Sequence, residues 1–456
     1  MRILLVRPPR LKQAITIGEF MFCEPIGLEI VYAVLKNEHT LEIFDMMIEK
    51  TGLISKLQTW QADAVGFTSL CVDVDNVLRL ARQAKIFDSN IITLVGGTQT
   101  YVEPAAFYDD SIDYIMQYTT QSNLIQLFRY LSKKITVPPI DGLLSRESDY
   151  QPTGIAGRNE YIVPDINSTK KYRKHYSYFG FKPAAIIQTS QGCSKHCRFC
   201  MRWRIEGAHE HDQDIAVVFD QIQRIREPSI MIFDNDFLHD AQRIHELCEL
   251  LERHQIHKNF MCYGSVASIL QHCETVSRFA RNGLAAVLVG YESFNPTELQ
   301  AYRKHSTVDD NLEAAKFLKS IGVDAWASFI LHPDWDHLDF KKFRRYLRKL
   351  RPEISSMTPL TPFSNLPLYE EYLDRLIFPK TDYGKWTFGN VSIRPSKMSL
   401  RRYYWEILKT NVYINFLMNN TWYLIRKFGF ATLFRILEGS VRLTKRYILL
   451  MARAEF

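Results

Sequence analysis

Three cysteines stand close together as Cys193, Cys197 and Cys200, spaced Cys-x3-Cys-x2-Cys, with Phe199 just before the last. Three thiolates on one short loop can hold three irons of a [4Fe–4S] cluster, which ordinarily takes four ligands. The fourth iron is then open, and an open metal position can bind a substrate or cofactor directly. A zinc site is the other reading, with His196, His209 or His211 as fourth ligand. Zinc sites usually pair two cysteines with a distant second pair, and no second pair occurs here. The remaining cysteines, Cys23, Cys71, Cys248, Cys262 and Cys273, are scattered and read as small buried hydrophobes. The triplet sits on a loop that follows an apolar run, Ile186-Ile187, which predicts a strand leading into Gly192.

Upstream, residues 1–140 alternate short aliphatic runs with helical stretches. Strands are predicted at 3–6, 41–45, 63–68, 91–95 and 112–115, with helices at about 26–36, after Val77, and through Leu124, Leu127 and Leu131. Strands buried on both faces and separated by helices imply an open, doubly wound parallel α/β sheet. Such sheets bind ligands outside the carboxyl ends of their strands. Two features fall there: Thr68-Ser69-Leu70 after the third strand, and Gly96-Gly97-Thr98 after the fourth. Paired glycines either let a large ligand approach the backbone or simply make a tight turn. Residues 141–184 carry Pro, Gly, Ser and Tyr without periodicity and read as a linker.

The chain has 456 residues, 46% hydrophobic and 23% charged, which excludes disorder, collagen and a disulfide miniprotein. No apolar run reaches the roughly 18–20 residues that span a bilayer. The first residues read as a strand and not as a signal peptide, so a cytoplasmic protein is expected. The net charge is +7, and residues 401–456 hold ten Lys/Arg against three Asp/Glu, so the tail carries the whole excess.

The triplet, with a strand before it and an aromatic before its third cysteine, resembles the signature of the radical S-adenosylmethionine (SAM) enzymes. That resemblance implies a partial (β/α)6 TIM-type barrel over residues 185–395. Its later strands would be 230–237, 260–265, 286–293, 327–331 and 356–360, with Gly290-Tyr291-Glu292-Ser293 matching the family's Gly-x-Glu-Ser ending. Barrel chemistry sits at the carboxyl ends of strands, which brings Asp236, Ser265, Glu292 and Ser293 to the cluster mouth. The resemblance implies that Cys193, Cys197 and Cys200 ligate the cluster, that Glu292 and Ser293 contact SAM, and that Phe199, Asp236 and Ser265 belong to the same site. Asp234, Asp236 and Glu292 each have a plainer reading as strand-end carboxylates that cap the next helix.

An α/β domain ahead of such a barrel resembles the cobalamin-dependent (class B) group. Thr68-Ser69-Leu70 and Gly96-Gly97-Thr98 match the group's two loop motifs and imply cobalamin contacts. The usual Asp-x-His-x-x-Gly does not: Asp45 is followed by Met46 and Met47, and Lys50 stands where the glycine would be. The histidine that ligates cobalt from below is therefore missing. Met116–Thr120 also lacks the group's Gly-Glu-x-Glu. Within class B, the chain is most similar to hopanoid C-3 methylases. Arg226-Glu227-Pro228, Tyr302-Arg303-Lys304, Asn311–Ala314, His332-Pro333-Asp334-Trp335-Asp336 and Glu406–Thr410 carry that similarity.

From residue 396 on, Gly and Pro nearly vanish and aromatics rise. On a helix over 430–453, Arg435, Arg442, Arg446 and Arg453 form one stripe, and Phe430, Leu433, Leu437, Ile448 and Met451 the opposite one. Gly439 is the expected break. Such a basic amphipathic helix docks on an anionic membrane surface or packs on the barrel with a solvated basic face. No nucleic-acid module is recognisable.

The expected enzyme uses a [4Fe–4S] cluster, SAM and cobalamin, with an external one-electron reductant, to methylate an unactivated carbon of a lipid-like, hopanoid-like substrate. It would work in the cytoplasm, peripherally at the inner membrane face. Alternatives are a natural-product C-methyltransferase, a radical enzyme that cyclises, rearranges or oxidises without methyl transfer, and a non-catalytic cobalamin or iron–sulfur sensor. Tyr263, Tyr291 and Asp336 are the candidates for proton transfer.

Overall fold

The computed structural model describes residues 1–9, 21–133, 140–151, 157–418 and 421–453. The chain divides into two compact units.

The first unit gathers the amino-terminal residues, Glu24–Arg173 and Phe378–Thr387. Its strands are β1 (Arg2–Arg7), β2 (Thr40–Asp45), β3 (Ala64–Thr68), β4 (Ile92–Gly96), β5 (Tyr114–Met116) and β6 (Leu143–Ser145). They lie in the order β2-β1-β3-β4-β5-β6, parallel except for β6. Ile3, Leu4, Leu5 and Val6 are buried in succession, because helices cover both faces of the sheet. Helices α1 (Ile26–Leu35), α2 (Leu53–Trp60), α3 (Val74–Phe87), α4 (Thr98–Val102) and α5 (Gln121–Leu131) connect the strands. Helix α3 buries Val74, Val77, Leu80, Ala81 and Ala84, one face at helical spacing. The chain leaves β1 toward β2 on one side and returns to β3 on the other, so the topological switch lies between β1 and β3.

Two expectations need correction here. Residues 141–184 are not a linker: Leu143–Ser145 closes the first sheet antiparallel to β5. Phe378–Thr387, expected in the barrel, belongs to the first unit, where Tyr383 packs against the same core as Val74 and Val77.

The second unit gathers Lys174–Ile377 and the chain from Phe388 onward. It carries β7 (Ala184–Ile187), a small antiparallel ribbon of β8 (Ser190–Gln191) and β9 (His211–Asp212), then β10 (Ser229–Ile232), β11 (Asn259–Gly264), β12 (Leu284–Glu292), β13 (Asp324–Leu331) and β14 (Ile354–Pro359). The large sheet is wholly parallel in the order β7-β10-β11-β12-β13-β14 and does not pair its two edges, the partial (β/α)6 arrangement. Its helices are α6 (Arg202–Glu206), α7 (Ile215–Arg224), α8 (Ala241–Arg253), α9 (Val266–Gln271), α10 (Cys273–Arg281), α11 (Pro296–Ala301), α12 (Val308–Ser320), α13 (His337–Leu350) and α14 (Pro367–Glu371).

The tail is helical: α15 (Leu400–Tyr413), a π-helical turn (Ile414–Met418) and α16 (Thr421–Arg453). The break in α16 is at Gly429, at φ +78°, and the expected break at Gly439 is continuous helix. Arg446 does not join a solvated stripe but faces Asn390, 3.4 Å from its Oδ1. Phe430, Leu437 and Ile448 are exposed, whereas Leu433 and Met451 are half-buried. The side chain of Arg435 lies outside the described residues.

Candidate functional site

The cysteine loop begins at Gly192, whose φ is +88° and where a Cβ would collide with the His209 carbonyl oxygen. Only glycine fits this crossing of the β8–β9 ribbon. The loop is tied at several further points. Cys193 N–H donates to Gly207 O at 3.0 Å, and Trp203 Nε1 donates to Cys197 O at 3.0 Å. Asn235 Nδ2 donates to Gly192 O at 2.7 Å and accepts at Oδ1 from Arg202 Nε, also at 2.7 Å. The three cysteines are therefore presented by a loop whose backbone is fixed from the end of β10.

No disulfide is formed among the described residues. Burial pushes the Cys193 thiol up to about 12 and raises Cys197 and Cys200 as well, with Lys304 acting in the opposite direction on the latter two. Such thiols become thiolates when positive metal charge arrives. The donor chemistry fits an iron–sulfur cluster. Among the described residues, no three His, Cys, Asp or Glu side chains are grouped to hold a single ion, and His196 Nε2 is engaged with Ala208 O at 2.7 Å. A one-ion zinc centre with His196 as fourth ligand is not built here.

Glu292 ends β12 at a bulge, in the left-handed region at φ +60°. Its carboxylate pairs with Lys304 Nζ at 3.3 Å, and both side chains are nearly inaccessible. Burial raises the Glu292 pKa, and Lys304 offsets part of that rise. For Lys304, burial lowers the pKa but Glu292 and Cys197 outweigh it and keep the ammonium charged. A small cavity at the mouth is bordered by Lys195, Cys197, Ser265 and Lys304. A cation and a carboxylate thus sit beside the cysteine that borders the cavity, a charge pattern that suits the amino and carboxylate groups of SAM. Lys304 had no assigned role in the sequence reading, although Tyr302-Arg303-Lys304 stood out as a motif.

The other expected residues are placed differently. Ser265 caps α9, its Oγ accepting from Ser268 N–H at 3.1 Å. Asp236 holds that cap: Oδ1 accepts from Ser265 N–H at 3.0 Å and Oδ2 from Ser268 Oγ at 2.7 Å. Asp236 therefore latches Ser265 at the mouth. Ser293 is fully buried, donates to Glu298 and accepts from Asn295 N–H, so its hydroxyl is engaged within its own turn. Phe199 meets Tyr302 edge-on at 5.5 Å and anchors the cysteine loop. Asp234 does not cap the next helix as its plainer reading expects; it accepts from Thr189 N–H and Oγ1, just beyond the end of β7. Of the three candidates for proton transfer, Tyr291 packs at 6.0 Å on Phe329, Asp336 caps α13, and Tyr263 shares a hydrogen bond with Tyr178.

In the first unit, the two loop motifs interlock. Ser69 N–H donates to Gly96 O at 2.9 Å, and Gln99 N–H donates to Ser69 O at 3.1 Å. Gly97 has φ +109°, and a Cβ there would meet Ser69 O at 2.9 Å and Thr68 Oγ1 at 3.1 Å. The glycine lets the β4 loop lie directly on the β3 loop beside the switch point. Leu70 and Thr98 are exposed at this edge. No charged side chain projects from Thr68-Ser69-Leu70 or Gly96-Gly97-Thr98, which suits a large, shape-recognised corrin approached by backbone.

Residues 187–347 match the radical SAM superfamily, and residues 20–124 match the B12 binding domain. The chain belongs to the cobalamin-dependent radical SAM enzymes. Its cofactors are a [4Fe–4S] cluster, SAM and cobalamin. It is 25% identical over 397 residues to the hopanoid C-3 methylase of Methylococcus capsulatus, covering 86% of this chain and 76% of that one. It is 22% identical to an anaerobic magnesium-protoporphyrin IX monomethyl ester cyclase of Rubrivivax gelatinosus, covering 75% of this chain and 64% of that one. Among solved structures, the radical SAM enzyme OxsB with aqua-cobalamin and SAM bound aligns with a TM-score of 0.71 at 16% identity, covering 98% of this chain and 72% of that one. The methyltransferase TsrM of Kitasatospora setae, with cobalamin and a [4Fe–4S] cluster bound, gives 0.65 at 14%, covering 82% and 78%. At these identities the two structures speak to the fold.

Proposed function

We propose that this radical SAM enzyme transfers a methyl group to an unactivated carbon of an apolar, lipid-like or polycyclic substrate. The observation that carries the proposal is one chain holding both the three-thiol loop beside the Glu292–Lys304 pair and the interlocked Ser69–Gly97 loops. When bound, the cluster and cobalamin supply one electron for SAM cleavage and a transferable methyl group.

The chain's own residues bind and orient. Cys193, Cys197 and Cys200 are assigned to the cluster. Lys304 and Glu292 are assigned to the SAM carboxylate and amino groups, with Ser265 at the same mouth, held by Asp236. Phe199 anchors the loop through Tyr302. Thr68, Ser69 and Leu70, with Gly96, Gly97 and Thr98, are assigned to the cobalamin edge. The lack of a disulfide among the described residues agrees with a reducing, cytoplasmic setting. The hopanoid methylase relative supports a lipid-like substrate. The cyclase relative favours a second reading, radical chemistry that closes or oxidises a ring without methyl transfer.

The test is anaerobic, reconstituted protein with methyl-deuterated SAM, cobalamin, a reductant and lipid extract, followed by mass spectrometry. The expected result is 5′-deoxyadenosine together with a lipid carrying the labelled methyl. Deoxyadenosine without labelled product selects the second reading. Neither product, from protein fully loaded with iron and cobalamin, overturns both.

A further inference from the structure

Among the described residues, eleven of the twenty exposed large hydrophobic side chains fall between Trp405 and Leu449. Scattered apolar side chains are normal on a surface, but a contiguous set marks an interaction site. Phe430 and Phe434 are 72% and 71% exposed. At 100° per residue, Phe430, Phe434, Leu437, Val441 and Ile448 lie within about 60° of one another on α16. Tyr447, on the helix's other shoulder, is buried and donates to Gly389 O at 3.1 Å, which fixes which face looks outward.

The exposed charge on the two tail helices is predominantly positive. Arg402, Lys409, Arg426, Arg442, Lys445 and Arg453 are exposed on α15 and α16, against Glu438 alone. A second concentration of positive charge lies where α15 gives way to α16. A cavity of about 710 Å³ is lined by Lys319, Arg348 and Arg351 and bordered by Leu417, which is itself 74% exposed. Of the two carboxylates there, Asp324 is paired with Lys427 at 2.6 Å, and Glu353 accepts from Ala325 N–H at 2.9 Å. An apolar stripe with cations on the same helices, and a cationic hollow at the junction of those helices, is complementary to acyl chains beneath phosphate headgroups. Among the described residues no helix is long and apolar enough to cross a membrane, so the face would lie on the surface.

We propose that α15 and α16 dock this unit on an anionic lipid bilayer. The helix runs the length of the barrel flank. Lys427 is tied to Asp324 at the start of β13, while Arg401 Nε donates to Met451 O at 3.0 Å and Tyr403 OH donates to His332 O just beyond the end of β13. The docked face therefore extends from the base of the strands to the mouth end. This docking is independent of the methyl-transfer reading and holds whichever product the enzyme makes.

The test is co-sedimentation of the full chain with phosphatidylcholine vesicles, with and without phosphatidylglycerol. The expected result is binding only to the anionic vesicles, weakened by salt. Phe430→Ser/Phe434→Ser and, separately, Arg442→Glu/Lys445→Glu should each lower the partition by at least about tenfold. Both variants should keep the parent melting temperature, since these side chains are exposed. No sedimentation with anionic vesicles overturns the proposal. So does a stable dimer in light scattering that Phe430→Ser/Phe434→Ser dissociates, because a second copy would then cover the face.

Discussion

The two candidate ligand regions are built by opposite means. The β3 and β4 loops of the first unit interlock through backbone hydrogen bonds and present no charged side chain. The barrel mouth of the second unit concentrates buried charge: Glu292 against Lys304, and three burial-raised thiols. A bulky corrin is recognised by shape, so a close-lying backbone serves it. A small zwitterion and a metal cluster are recognised by charge, which is strong only where water is excluded. The difference also predicts different sensitivities. The mouth should fail when a charge is removed, and the loops when an atom is added.

The largest expected effect is at the mouth. Cys197→Ala should lose the cluster's iron and visible absorption, and deoxyadenosine formation should fall below detection. Cobalamin binding, followed by its own absorption on a desalting column, should be unchanged. Loss of both would break the comparison.

Next is the buried pair. Lys304→Met leaves Glu292 uncompensated and should destabilise the fold by about 3–5 kcal/mol in chemical unfolding. Adding Glu292→Gln should restore most of that stability without restoring SAM binding in equilibrium dialysis. Recovery of both would assign the pair to packing alone.

Gly97→Ala adds one atom to the first unit. Positive φ and the approach to Ser69 O should cost about 1–3 kcal/mol, or roughly ten- to a hundredfold in cobalamin affinity. SAM cleavage uncoupled from cobalamin should persist.

The smallest effect concerns buried charge in the first unit that lies outside those loops. Glu24 and Glu29 share Arg173, at 2.6 and 3.4 Å. Burial, reinforced by Glu24 and opposed by Arg173, lifts the Glu29 carboxyl to about 8. The folded chain then holds a proton that the unfolded chain has released above the ordinary carboxylate range. Stability is full below roughly pH 4.5 and declines as pH rises toward 8. Glu29→Gln should flatten that decline, and its melting temperature should exceed the parent's at pH 8 by a few degrees, at about 2–4 °C per kcal/mol. Parallel curves for the two proteins would sink the assignment.

Much of this was legible in the sequence, because it depends on local spacing. The Cys-x3-Cys-x2-Cys loop, the Gly96-Gly97 turn and the alternating strands are short-range patterns. What was not legible depends on tertiary contacts. Lys304 meets Glu292 only because α11 and a left-handed Arg303 return the chain to the strand end. Ser293 had the right type and place, but Glu298, five residues on, engages its hydroxyl. Strand β6 is three residues long, too short for any periodicity. In α16 two glycines competed for the break. Gly429 takes it because Lys427 is held by Asp324 and Phe428 packs edge-on against Phe181, which fixes the preceding turn.

The left-handed backbone of Glu292 sets stability against function at one residue. A glutamate there carries strain that glycine or asparagine would relieve. Laboratory evolution toward heat resistance alone should therefore enrich Glu292→Gly or Glu292→Asn only together with loss of the Lys304 ammonium, as in Lys304→Met, and, in doing so, discard the charge at the mouth. Any survey of thermostable descendants would need turnover as a second selection, or this position would drift first.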